Sequence, residues 1–189
     1  MQWNIPNLLT WLRILMIPLF VGLFYLPDGM LTAPVRDFYA TLIFALAAAT
    51  DWLDGYLARA LKQTSAFGAF LDPVADKLMV AAALIVLVEF GRVGAVVALI
   101  IIGREIAISA LREWMAGLGN RQSVAVAAIG KVKTGMQMVA ILFLLYYQPL
   151  GPIDSKIIGT LLMYVAVFLT LLSMAYYLRA AWPQISSQK

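Results

Sequence analysis

Six long apolar stretches, near 8–26, 35–53, 78–90, 93–111, 129–147 and 157–178, decide what this chain can fold into. A helix needs about 20 apolar residues to cross the roughly 30 Å hydrocarbon layer of a bilayer. Five of the stretches come close to that length. The third is short unless it begins earlier, near Phe70, and it then takes in Asp72 and Asp76. Hydrophobic residues make up 63% of the 189 and charged residues 13%. Soluble domains are about 45–50% apolar and about 25% charged, so the surplus here calls for lipid as solvent. The expected fold is all-α: a polytopic membrane protein with six transmembrane helices, forming a single domain over 1–189. The first stretch has no basic segment before it and no small-residue cleavage pattern after it. It is expected to be a span rather than a leader, with Pro18 a point where its helix could bend.

The interruptions have turn chemistry: Pro27 to Gly29, Gly91 with Gly94, Gly117 to Asn120, and Gln148 to Pro152. Basic residues divide unevenly between the two sides of the six spans. Arg13, Arg59, Lys62, Lys77, Arg112, Arg121, Lys131, Lys133, Arg179 and Lys189 fall on one side, and Arg36, Arg92 and Lys156 on the other. The excess of Lys and Arg marks the cytoplasmic face, which places both termini in the cytoplasm.

The chain has no cysteine and no histidine. That excludes disulfides, zinc-thiolate sites, cysteine nucleophiles and an imidazole base. Proton transfer is left to carboxylates, Lys or Tyr. A bound metal would have only oxygen ligands, which suits Mg2+ or Mn2+ better than zinc. The net charge of +4 accords with topology and anionic headgroups. No nucleic-acid-binding motif is present, and no nucleic-acid partner is expected.

Four aspartates stand out in so apolar a sequence. Asp51 and Asp54 are three residues apart and Asp72 and Asp76 four apart, so each pair shares a helix face. Both pairs lie beside the short connection between the second and third spans, where antiparallel neighbours bring them together. Unneutralised, such a group of carboxylates repels itself. Divalent cations would resolve that, usually in company with a substrate phosphate. Gly55 and Gly68 leave room for a bulky group against the backbone. Ala58 extends that small surface, and Arg59 could pair with a phosphate. Caps and interfacial charges account for isolated aspartates near helix ends, but poorly for four at helical spacing, since ionisable groups at membrane depth are rare without a role.

The complete pattern, D-x2-D-G-x2-A-R-x8-G-x3-D-x3-D from Asp51 to Asp76, resembles the signature of the CDP-alcohol phosphotransferases, with every signature position filled. The resemblance implies six transmembrane helices, two divalent ions, frequent homodimers, and transfer of a phosphatidyl or related group from a CDP-linked donor to an alcohol with release of CMP. Further segments are similar to bacterial members that take CDP-diacylglycerol and sn-glycerol 3-phosphate. These are the stretch from Asn4 through Asn7 and Thr10 to Arg13, the stretch from Gly103 to Trp114, and the stretch from Val124 to Met138. The implied place is the bacterial cytoplasmic (inner) membrane, with the active site facing the cytoplasm.

On that footing each residue acquires an expected role. Asp51, Asp54, Asp72 and Asp76 are metal ligands, and Asp76 is also the general base. Asn7, Thr10, Gly55, Ala58, Arg59 and Gly68 bind CDP-diacylglycerol, and Arg13 shares the face of Asn7 and Thr10 toward the donor's nucleotide or pyrophosphate. Arg104, Arg112, Lys131 and Lys133 form the cationic pocket for glycerol phosphate, with Arg179 a weaker candidate. Structural alternatives exist for several of them. Asn7, Thr10 and Arg13 could be a cap and an interfacial charge, Lys131 and Lys133 could be snorkelling topology charges, and Arg104 could pair internally with Glu105. Trp3, Trp11, Trp52 and Trp182 read as an interfacial belt. A phosphotransferase of the same family with another acceptor (serine, inositol phosphate or phosphatidylglycerol) is the nearest alternative. A divalent-cation transporter is the alternative from another class, and it gives no reason for the small residues between the aspartates.

Overall fold

The computed structural model describes residues 5–27, 29–60, 66–117 and 128–186. Among these it has six helices and no strand: α1 (Ile5–Gly22), continued by a 3-10 turn over Leu23–Tyr25, α2 (Ala33–Ala60), α3 (Ala66–Glu89), α4 (Ala95–Gly117), α5 (Ala128–Tyr146) and α6 (Ser155–Ser186). Each apolar stretch corresponds to one helix. α3 begins at Ala66, before the expected Phe70, and α2 runs on to Ala60. The described part of the aspartate pattern is therefore helical on both sides of the connection.

Local chemistry sets the ends. Pro6 and Pro34 sit in the first turns of α1 and α2, where a missing N–H costs nothing. The Asp154 carboxylate accepts from the backbone N–H of Lys156 at 2.9 Å and caps α6. α3 stops at Gly91, whose φ of 66° favours glycine. There the N–H of Arg92 donates to the Leu87 carbonyl at 2.8 Å and that of Gly91 to Val88 at 3.0 Å, closing a Schellman turn. α1 stays helical through Pro18 and α3 through Pro73.

α1 packs on α2 and α3, α5 packs on α2, α3 and α6, and α4 packs on α3 and α6. The core is built from Phe20, Phe44, Leu84, Leu87, Ile141 and Leu144, filled in by fully buried Ala40, Ala83, Ala140 and Ala166. Such small residues let helix backbones approach closely. A close approach lies at Gly159, where an added Cβ would stand 2.8 Å from Leu144 Cγ and 3.0 Å from Phe143 Cβ.

The outside is apolar too. Leu15, Leu19, Ile85, Val96, Leu99, Leu161 and Phe168 all point outward. A soluble protein rarely exposes so continuous an apolar surface, and this is the exterior of a membrane protein. Among the described residues two helices, over Leu8–Tyr25 and Ser155–Tyr176, are long and apolar enough to cross a bilayer by length and composition. Trp11 and Trp52 lie outward on α1 and α2.

At the end remote from the aspartates, the Schellman turn delivers Arg92 into a knot. Its Nη2 donates to both Asp37 oxygens, at 2.9 and 2.7 Å, and its Nη1 donates to the Leu144 and Leu145 carbonyls at 3.1 and 2.9 Å. One guanidinium thus ties the start of α2 to the C-terminal carbonyls of α5, where a cation suits the helix dipole. Arg92 and Lys156 also lie over the Tyr147 ring, at 4.2 and 4.5 Å, and Arg36 lies over Phe24 and Phe90. The three basic residues assigned to this side all have structural partners.

Candidate active site at the aspartate end of the bundle

Asp51 and Asp54 lie in the last turns of α2 and Asp72 and Asp76 in the first turns of α3. The two pairs therefore meet at one end of the bundle, with α1 packed beside them. Asp54 is buried, while Asp51, Asp72 and Asp76 are partly accessible. α1 supplies their partners. The Arg13 guanidinium, 1% exposed, places Nη2 2.5 Å from Asp54 Oδ2 and Nη1 2.7 Å from Asp51 Oδ1. The first contact is an aligned hydrogen bond and the second an ion pair without that alignment. One turn earlier on the same face, buried Thr10 donates its hydroxyl to Asp72 Oδ1.

Asp76 faces a different neighbourhood. It lines a small cavity with Arg13, Phe44, Ala47, Met79 and Met138. It is within electrostatic reach of Asp51 and Arg13 on one side, and of Glu105 and Lys133 on the other.

A second polar group lies on that far side. Glu105 on α4 accepts from Arg104 Nη1 at 3.0 Å and also from Lys133 Nζ on α5. Arg104 Nη2 reaches the Ser173 hydroxyl of α6 at 3.1 Å. Lys133 is fully buried and Arg104 nearly so. Lys133 is therefore not a snorkelling surface charge, and Arg104 does make the internal pair that its position beside Glu105 allowed. Gln137 follows Lys133 by one turn and is also buried.

The remaining expected site residues are placed by backbone only. Asn7 is on α1, Gly55, Ala58 and Arg59 on α2, Arg112 on α4 and Lys131 on α5, and their side chains lie outside the described residues. So do Asn4, the 61–65 connection and the segment 118–127, which carries Arg121 and Val124. Gly68 is buried on α3, one turn before Asp72.

The donor set fits a hard divalent cation in its chemistry, since carboxylates are available and neither nitrogen nor sulfur ligands compete. In this arrangement, among the described residues, no three acidic side chains gather around one point. Arg13 and Thr10 hold three of the four carboxylates toward α1. The sequence reading grouped Arg13 with Asn7 and Thr10 as a contact for the donor, and did not foresee its pairing with Asp51 and Asp54. Its signal was present all the same, as the only cation on α1 one turn from Thr10 and facing an excess of negative charge.

Comparison with known proteins adds to this geometry. A family model described as CDP-alcohol phosphatidyltransferase matches residues 3–172. A Pectobacterium atrosepticum protein named CDP-diacylglycerol–glycerol-3-phosphate 3-phosphatidyltransferase is 53% identical over 183 residues, which is 96% of either chain. Proteins of the same name from Escherichia coli (strain K12) and Shigella flexneri serotype 5b are each 51% identical over 190 residues, covering 100% of both chains.

Proposed function

The chain belongs to the CDP-alcohol phosphatidyltransferase family, and from that premise we propose that it transfers the phosphatidyl group of CDP-diacylglycerol to sn-glycerol 3-phosphate. The products are phosphatidylglycerophosphate and CMP, a step of phospholipid biosynthesis. The supporting observation is the juxtaposition at one end of the bundle: a carboxylate group on α2 and α3, a cationic group on α4 and α5, and Asp76 within electrostatic reach of both. Such a pair of half-sites suits a pyrophosphate donor beside a small dianionic acceptor. The printed names of the full-length relatives point to the same two substrates.

In this reading Asp51, Asp54, Asp72 and Asp76 would hold Mg2+ or Mn2+, two ions, which would supply charge neutralisation for the donor pyrophosphate and the CMP leaving group. Asn7, Thr10, Gly55, Ala58, Arg59 and Gly68 shape the donor's place, with the small residues giving room for phosphate. Arg104, Arg112, Lys131 and Lys133 orient the acceptor's phosphate. Asp76 takes the proton from the acceptor's free primary hydroxyl. The oxygen then attacks the phosphorus that bears diacylglycerol, and the bond to CMP breaks. A carboxylate is a weak base, and alignment of the hydroxyl in the site offsets that weakness.

All six helices span the bacterial inner membrane in this reading, with both termini and the aspartate end on the cytoplasmic side, as the distribution of basic residues supports. The acyl tails remain in lipid while the polar groups react at the interface. A homodimer is the expected assembly, through part of the apolar exterior.

The test is purified protein given CDP-diacylglycerol with glycerol 3-phosphate, serine, inositol phosphate or phosphatidylglycerol in turn. CMP release with glycerol 3-phosphate is expected. Release only with a different acceptor would overturn the assignment.

A further inference from the structure

Glu105 has no role in the transfer as described, yet it holds the two buried cations of the acceptor half-site together. Its carboxylate accepts from Arg104 of its own helix at 3.0 Å and from Lys133 of α5. Arg104 is further anchored by Ser173 of α6. One carboxylate therefore fixes two cations drawn from different helices into a single group.

A physical consequence follows. Two positive side chains side by side repel one another, and the carboxylate between them offsets that repulsion while leaving the trio net positive, as an incoming dianion requires.

We propose that Glu105 is a positioning residue: it presents Arg104 and Lys133 as a fixed pair to the phosphate of the acceptor. The proposal rests on the glycerol 3-phosphate reading above.

The experiment compares wild-type, Glu105→Gln and Glu105→Asp enzymes, purified in detergent micelles. It measures KM for each substrate, kcat, thermal unfolding and inhibition by inorganic phosphate. Glu105→Gln is expected to raise KM for glycerol 3-phosphate about tenfold or more, a size typical of coupling within one ion-pair network. The inhibition constant for inorganic phosphate should rise in parallel, while KM for CDP-diacylglycerol stays within about twofold of wild type. Glu105→Asp, which keeps the charge, should recover part of the loss, and it carries the test if Glu105→Gln does not fold. Unchanged acceptor KM in a folded variant, or equal loss toward both substrates, overturns the proposal. A wild-type enzyme that shows no saturable use of glycerol 3-phosphate overturns instead the reading on which it rests.

Discussion

Arg13 lies with Nη2 2.5 Å from Oδ2 of Asp54, and both side chains are shut away from solvent. The same guanidinium reaches Asp51, so a single cation from α1 compensates two carboxylates of α2. Removing one partner of a buried pair leaves an uncompensated charge and costs about 3–5 kcal/mol. Arg13→Gln should therefore lower the unfolding temperature in detergent and reduce CMP release at least about a hundredfold. Arg13→Lys should not restore activity, because a point charge cannot span two carboxylates as the planar fork does. A lysine variant with wild-type turnover would refute the bridging role.

Asp76→Asn should keep the fold and bind both substrates, but turn over about 10²–10⁴ times more slowly, the range that general base catalysis contributes. The measurement is kcat under saturation with both substrates. A near-normal kcat would remove Asp76 from the chemistry.

Chelation should abolish CMP release, and Mg2+ or Mn2+ should restore it better than Zn2+, since the four aspartates provide only hard oxygen donors. Restoration by zinc alone would contradict the ligand assignment.

The knot at the opposite end predicts a different kind of defect. Asp37→Asn leaves the Arg92 guanidinium buried without its counter-ion, and should destabilise the bundle by about 3–5 kcal/mol. KM for either substrate should hardly move, because Arg92 and Asp37 lie at the end remote from Asp76. Thermal unfolding and kinetics on one preparation separate these outcomes. A selective change in acceptor KM would show that this end communicates with the site.

Gly159→Val should loosen the α5–α6 contact, where even a Cβ meets Leu144 at 2.8 Å. Overpacking of this kind costs about 1–3 kcal/mol. Adding Leu144→Ala should return part of the stability. If the double variant melts lower than the sum of the two single effects, the contact is not the cause.

The elements of the fold were legible because length and apolarity alone identify bilayer-sized helices. The ends were less so. α3 begins at Ala66 rather than near Phe70: Ala66, Phe67 and Ala69 are compatible with a helix, and Gly68, a poor helix former, is tolerated inside it. The four aspartates were legible from spacing. Arg13 as their counter-ion was not, since a contact between residues 41 positions apart leaves no periodic trace. Asp37 was missed for the same reason. Its partner Arg92 reads as a topology charge in sequence, and only the Schellman turn at Gly91 aims it inward. Arg104 and Lys133 were expected to take a phosphate, with an internal Arg104–Glu105 pair as the alternative. Glu105 was visible beside Arg104, but that it also captures Lys133 depends on how α4 and α5 pack.

The order of the chain gives the Arg13 contact a meaning in biosynthesis. α1 leaves the ribosome before any of the carboxylates that will neutralise its arginine, and an unpaired arginine is costly within a bilayer. Until α2 arrives, Arg13 is best accommodated at the cytoplasmic surface, with its side chain extended toward the headgroups. Asp51 and Asp54 supply the counter-charges that burial of Arg13 requires, so the ion pairs that organise the finished site also tie the first two helices of the chain to one another.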